Sequence, residues 1–232
     1  MENFNQIAFE LSNRCNYSHI HKECPTKPNA DPIFLPTKII KKVIQYLGSI
    51  EYQGEIYFNL YNDPMIDPRL FMLVDYVYWH SPFSWVHIFT NGWNLNQELT
   101  QELFNRGKVR ITVSTYSDSE DERLQNMKCP GEFYFPRRMK LDPEVLQLYD
   151  RESNCTSPCL FPSIYPIINH KAELILCCRD WKYQHVFADL NEVSIQEALN
   201  CDLRKEICDE LKNGIRSLDL CKRCHFKGWG IS

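Results

Sequence analysis

The chain has 232 residues, 44% hydrophobic and 24% charged, with a formal net charge of −4. This supports one large domain or one domain with an appendage, globular and able to bury a substantial core. The charge leaves no electrostatic footprint for nucleic acid, and no apolar run is long enough to span a membrane.

The opening Met-Glu-Asn-Phe-Asn-Gln lacks the basic and apolar regions of a signal peptide. The expected setting is therefore the reducing cytoplasm. Eleven cysteines there read as metal or cluster ligands plus buried thiols rather than disulfides.

Residues 7–11 alternate as a first strand. Cys15, His19, His21 and Cys24 follow in a loop, and thiolates with imidazoles beyond a strand end suggest a metal or cluster site. Residues 25–36 hold four prolines and read as loop. A helix is predicted over 36–48, opened by Pro and stopped by Gly. A strand over 55–61 ends at Asn62-Asp63-Pro64, and a helix covers 69–78. A strand over 85–89 ends at Thr90-Asn91-Gly92, followed by a helix over 96–105 and a strand over 109–115. The alternation argues for parallel βαβ units. Residues 118–126 are a short helix or loop, 132–135 a possible fifth strand and 142–149 a possible helix. Residues 165–168 and 173–177 flank a turn and suggest a β-hairpin. Helices over 194–200 and 202–212 precede a Cys-x2-Cys pair. A boundary is placed near Arg151, giving units 1–150 and 151–232.

The sharpest cysteine signal is Cys159-x17-Cys177-x43-Cys221-x2-Cys224. The Cys-x2-Cys turn places two sulfurs near one metal or cluster, and a hairpin can bring the distant pair. The spacing leaves zinc, an iron–sulfur cluster and four plain thiols open. Cys155 and Cys178 read as ordinary thiols able to replace a neighbour, and Cys129, Cys201 and Cys208 as core or surface thiols. His80 and His87 do not read as ligands.

These motifs, in this order, resemble those of radical S-adenosylmethionine (SAM) enzymes. Ser12-Asn13-Arg14-Cys15-Asn16 and Cys24-Pro25 match that family's cluster loop, whose usual Cys-x3-Cys-x2-Cys is altered here to Cys-x3-His-x4-Cys. Tyr61-Asn62-Asp63-Pro64 is similar to the turn that receives the SAM amino group, with Gly replaced. Thr90-Asn91-Gly92 is intact, Ser114 or Thr115 stands where a small polar residue lies near the ribose, and Arg151 lies in a segment similar to one preceding the C-terminal domain. The C-terminal cysteines resemble those of the twitch domain, a short form of SPASM.

The resemblance implies a partial parallel (β/α) barrel followed by a small α+β domain holding an auxiliary [4Fe-4S] cluster through Cys159, Cys177, Cys221 and Cys224. SAM would meet Asn62, Asp63, Thr90, Asn91, Ser114 and Arg151. The N-terminal loop is read three ways: a cluster on Cys15, His19 or His21, and Cys24; zinc on both thiolates and both imidazoles; or no metal. The implied activity is modification or oxidation of a C–H bond, on a small molecule or a peptide, through a 5′-deoxyadenosyl radical. An electron donor such as flavodoxin or ferredoxin is implied, with neither nucleic acid nor membrane as partner. The other reading is a degenerate cluster- or zinc-binding scaffold.

Overall fold

The computed structural model describes residues 4–19, 25–26, 31–115, 118–127, 132–134 and 154–224. His21, Cys24, Cys129, Arg151, the helix predicted over 142–149 and the boundary near 151 lie outside them.

Alternation in the first strand sets the frame. In β1 (Gln6–Phe9) Ile7 and Phe9 point to one face and Ala8 to the other. Strands β2 (Glu55–Tyr57), β3 (Trp85–Thr90), β4 (Val109–Val113) and β5 (Glu132–Tyr134) follow in parallel, in the spatial order β5-β4-β3-β2-β1. The registers Ile7–Ile56–Val86 and Ala8–Tyr57–His87 put like faces side by side. The first row packs with the helices and the second forms the inner face, so these strands bury apolar side chains on both sides, as parallel strands do.

Helix α1 (Thr37–Ser49) buries Ile39, Ile40, Val43, Ile44 and Leu47 at helical spacing. It packs on α2 (Leu70–His80) so closely that a Cβ on Gly48 would stand 1.8 Å from the His80 carbonyl oxygen. Asn96 caps α3 (Gln97–Asn105) by accepting from Leu99 N at 2.8 Å. The polar run 118–126 forms α4 (Asp118–Gln125).

The strand predicted over 55–61 stops at Tyr57. The Asn62 amide accepts from Leu60 N and donates to the Phe58 carbonyl, folding the chain into a turn before the ladder can continue.

The C-terminal third joins the same sheet. After the short helix α5 (Phe161–Ile164), β6 (Ile167–Ile168) pairs in parallel with β1, and β7 (Glu173–Ile175) turns back antiparallel. Strand β8 (Val186–Asp189), which the sequence pattern does not announce, pairs with β7 across an irregular register at Leu174/Ile175. The described strands thus form one open eight-stranded sheet. Helices α6 (Ile195–Leu199), α7 (Asp202–Lys212) and α8 (Asp219–Arg223) follow. A full capping box, Ser194 with Glu197, starts α6. No helix among the described residues is long and apolar enough to cross a membrane.

Candidate functional site

Two groups of side chains stand at the carboxyl ends of the strands and beyond them. The first is built on the loop after β1. Asn13 clasps its base: its backbone N–H donates to the Ile33 carbonyl, its Oδ1 accepts from Ile33 N at 2.9 Å, and its Nδ2 donates to the Asp31 carbonyl. Arg69 holds the same base to the start of α1, donating to the Leu11 and Leu35 carbonyls while paired twofold with buried Asp67. Buried Tyr17 anchors the loop tip. It donates to Glu120 and lies edge-on to Trp93, with ring centroids 5.9 Å apart.

Asp63 ties this loop to the next two strands. Its N–H donates to the Arg14 carbonyl at 3.0 Å. Its buried carboxylate accepts from Met65 N at 2.9 Å, from Thr90 Oγ1 at 3.0 and 2.9 Å, and from Asn91 N at 3.0 Å. Burial raises its pKa above the usual carboxylate value, and these bonds pull against that rise. Gly92 takes φ +75°, and a Cβ there would meet Val113 at 2.6 Å, so this turn requires glycine. The result aims Asn91 at the loop: its Nδ2 donates to Asn16 Oδ1 at 2.7 Å and reaches Cys15 Sγ at 3.9 Å. Ser114 joins the group by donating its N–H to the Thr90 carbonyl at 2.8 Å.

Cys15, Asp63, Thr90, Asn91 and Ser114 therefore stand together at the ends of four strands. Asn62 and Asp63 act on this site by fixing turns, since their side-chain groups bind backbone and Thr90. His19 lies exposed at the end of the Cys15 turn.

The second group surrounds one apolar cavity. Cys159, Cys177, Cys221 and Cys224 all line it, with Cys178 and Arg216. Cys221 lies in the middle of the short helix α8 and Cys224 N–H donates back to its carbonyl, while Cys159 N–H donates to the Leu211 carbonyl of α7. Burial pushes the Cys221 thiol up to about 12 and Cys178 to about 11. Burial also raises Cys177 and Cys159, and the Arg216 charge pulls Cys159 and Cys221 partly back. Among the described residues, no three His, Cys, Asp or Glu side chains close around a point able to hold a single metal ion. A tetrahedral zinc would need its thiolates about 3.8 Å apart. The donor set is four or five thiols around one cavity with a cation beside it.

Sequence reasoning missed a third constellation, at the seam between β1 and the hairpin. Buried Glu10 accepts from His170 N at 3.2 Å, contacts His170 Nδ1 at 2.7 Å and accepts from Tyr183 Oη at 2.8 Å. Tyr183 has φ +52°, a left-handed backbone that a bulky aromatic rarely adopts. Its pKa is raised by burial first and by Glu10 next. Tyr61 donates to the Cys178 carbonyl on the same side. The available signal was a carboxylate continuing the alternation of an apolar strand. His87 stacks on both Tyr57 and Phe89, which also contact each other, and meets Thr112 Oγ1 at 2.7 Å.

This open sheet, with Cys15 at the strand ends and a cysteine-lined cavity beyond, shares its fold with solved structures that hold bound AdoMet. No family model matches the chain. It is similar to the S-adenosyl-L-methionine-dependent 2-deoxy-scyllo-inosamine dehydrogenase of Niallia circulans, with 21% identity over 96% of this chain and 93% of the relative. Among solved structures it superposes on BtrN in complex with AdoMet and 2-DOIA with a TM-score of 0.77 at 21% identity, over 97% of this chain and 95% of that one. It also superposes on native anSMEcpe with bound AdoMet, with a TM-score of 0.63 at 9% identity, over 97% and 91% of the two chains.

Proposed function

We propose that this chain is a radical SAM dehydrogenase that oxidises an alcohol C–H of a small molecule. Two observations carry the reading: similarity to a SAM-dependent dehydrogenase extends over nearly the full length of both chains, and the four spaced cysteines meet at one cavity. In this reading Cys15, His19 and Cys24 hold the first [4Fe-4S] cluster, and Cys159, Cys177, Cys221 and Cys224 hold the auxiliary one. Bound together, the first cluster and SAM supply a 5′-deoxyadenosyl radical that takes a hydrogen atom.

The chain's own part is placement. Asp63 braces Thr90 and Asn91 so that the Asn91 amide faces Cys15, and Ser114 and Arg151 complete the SAM contacts. The aromatic inner face of Tyr57, His87 and Phe89 excludes water from the reacting carbon. An electron donor of the flavodoxin or ferredoxin class reduces the first cluster, as the cytoplasm provides.

Iron, sulfide and zinc analysis of anaerobically purified protein tests this, with electron paramagnetic resonance before and after SAM addition. We expect about eight irons per chain and a signal that SAM perturbs. About four irons with no response to SAM would overturn the enzyme reading, and zinc without iron would overturn the cluster assignment as well. His19→Cys is expected to change the first cluster's spectrum, and an unchanged spectrum removes His19 from the ligands.

A further inference from the structure

Arg216 is buried at 6% exposure on the wall of the cysteine cavity. Its guanidinium grips both halves of that wall. Nε donates to the Ser157 carbonyl at 2.8 Å, two residues before Cys159. Nη1 donates to the Cys221 carbonyl at 3.0 Å and to the Cys224 carbonyl at 2.9 Å. One side chain therefore clamps the Cys159 segment to the Cys-x2-Cys turn and sets a permanent positive charge beside the thiols.

We infer that Arg216 is a positioning residue that sets the reduction potential of the auxiliary cluster, keeping it high enough to accept an electron from the substrate. The inference rests on the dehydrogenase reading above. Four thiolates give an iron–sulfur site a net negative charge, and adding an electron makes it more negative. A fixed cation in a low-dielectric wall stabilises the reduced form more than the oxidised form and so raises the potential. Oxidation of an alcohol through a carbon radical needs a one-electron acceptor. Once the hydrogen atom has left, the carbon radical gives one electron to the cluster and its hydroxyl gives one proton to water. The C–O bond then becomes C=O and the cluster is reduced by one electron.

The test uses the full chain carrying Cys15→Ala, so that only the auxiliary cluster is titrated. Iron and sulfide are counted in anaerobically reconstituted protein with Arg216, Arg216→Gln and Arg216→Lys, and each is titrated by electron paramagnetic resonance against potential. Arg216→Gln is expected to keep about four irons and shift to lower potential, while Arg216→Lys stays near the parent. Full iron in Arg216→Gln with an unmoved potential overturns the inference and leaves the dehydrogenase reading intact. Should Arg216→Gln lose its iron, Arg216→Lys decides: full iron at the parent potential supports the inference, and loss of iron there too makes Arg216 a scaffold and overturns it. Zinc without iron in the parent overturns the dehydrogenase reading, and this inference with it.

Discussion

At the scale of single residues, Asp63 does more than its place in a turn suggests. Its carboxylate is the shared acceptor for Met65 N, Thr90 Oγ1 and Asn91 N, all in a buried setting. Removing it leaves three donors without their acceptor and frees Asn91 from its aim at Cys15. Asp63→Ala is expected to cost about 2–4 kcal/mol by urea denaturation, because each unsatisfied buried donor costs about 1–3 kcal/mol and the turn relaxes partly. Asp63→Asn, which retains one acceptor oxygen, is expected to lose less. An Asp63→Ala protein of parent stability would show that the turn is held elsewhere. The sequence marked this residue through the turn Asn62-Asp63-Pro64. It could not show that the partner of the acid is Thr90, 27 positions on, because that pairing exists only once β2 and β3 are adjacent.

At the scale of elements, the inner face of the sheet holds a polar group at its amino-terminal edge. Glu55 of β2 pairs with Arg110 of β4 at 2.6 Å, reaching across β3, and accepts from Tyr57. Burial alone would raise the Glu55 pKa, but the Tyr57 hydroxyl and Arg110 outweigh it, so the net shift is downward. A carboxyl whose folded pKa is depressed stabilises the fold above its unfolded value near 4.3. That stability is lost as pH falls through the folded value. Glu55→Gln is therefore expected to cost about 1 kcal/mol at pH 7 and progressively less below pH 4. Urea titrations at a series of pH values check this, and a cost independent of pH would refute it. The elements themselves were largely legible: α1, α2, α3, α6 and α7 follow from apolar spacing, with Pro36, Asn96 and Ser194 opening α1, α3 and α6. Strand β8 was not, because its four residues are half-buried or exposed and carry no alternation.

At the scale of the molecule, the two parts expected from the change of texture near Arg151 share one sheet through β1 and β6. Ala8 N–H donates to the Pro166 carbonyl and Glu10 N–H to the Ile168 carbonyl, while the Glu10 carboxylate holds His170 and Tyr183. Such a seam favours a single cooperative transition. Glu10→Ala is expected to lower stability by about 2–4 kcal/mol, since it strands buried polar partners, yet to leave the transition single because the backbone ladder remains. Circular dichroism and tryptophan fluorescence followed through the same urea titration should coincide. Two separated transitions in the parent protein would mean that the seam does not couple the parts.

The sequence by itself determined the alternation of strands and helices, the cysteine spacing and the turn residues. These rest on local rules: periodicity sets which face is buried, and Gly92 supplies a backbone conformation. Only the tertiary structure decided which groups meet. The alignment of Asn91 with Cys15, the closure of Glu10 on His170 and Tyr183 across 160 and 173 positions, and the clamp of Arg216 on two cysteine segments all need strands and loops brought together. The physical reason is range. A residue's spacing along the chain dictates its face, whereas its partner in a buried polar network is chosen by burial, which leaves each such group to find whichever donor or acceptor the fold places beside it.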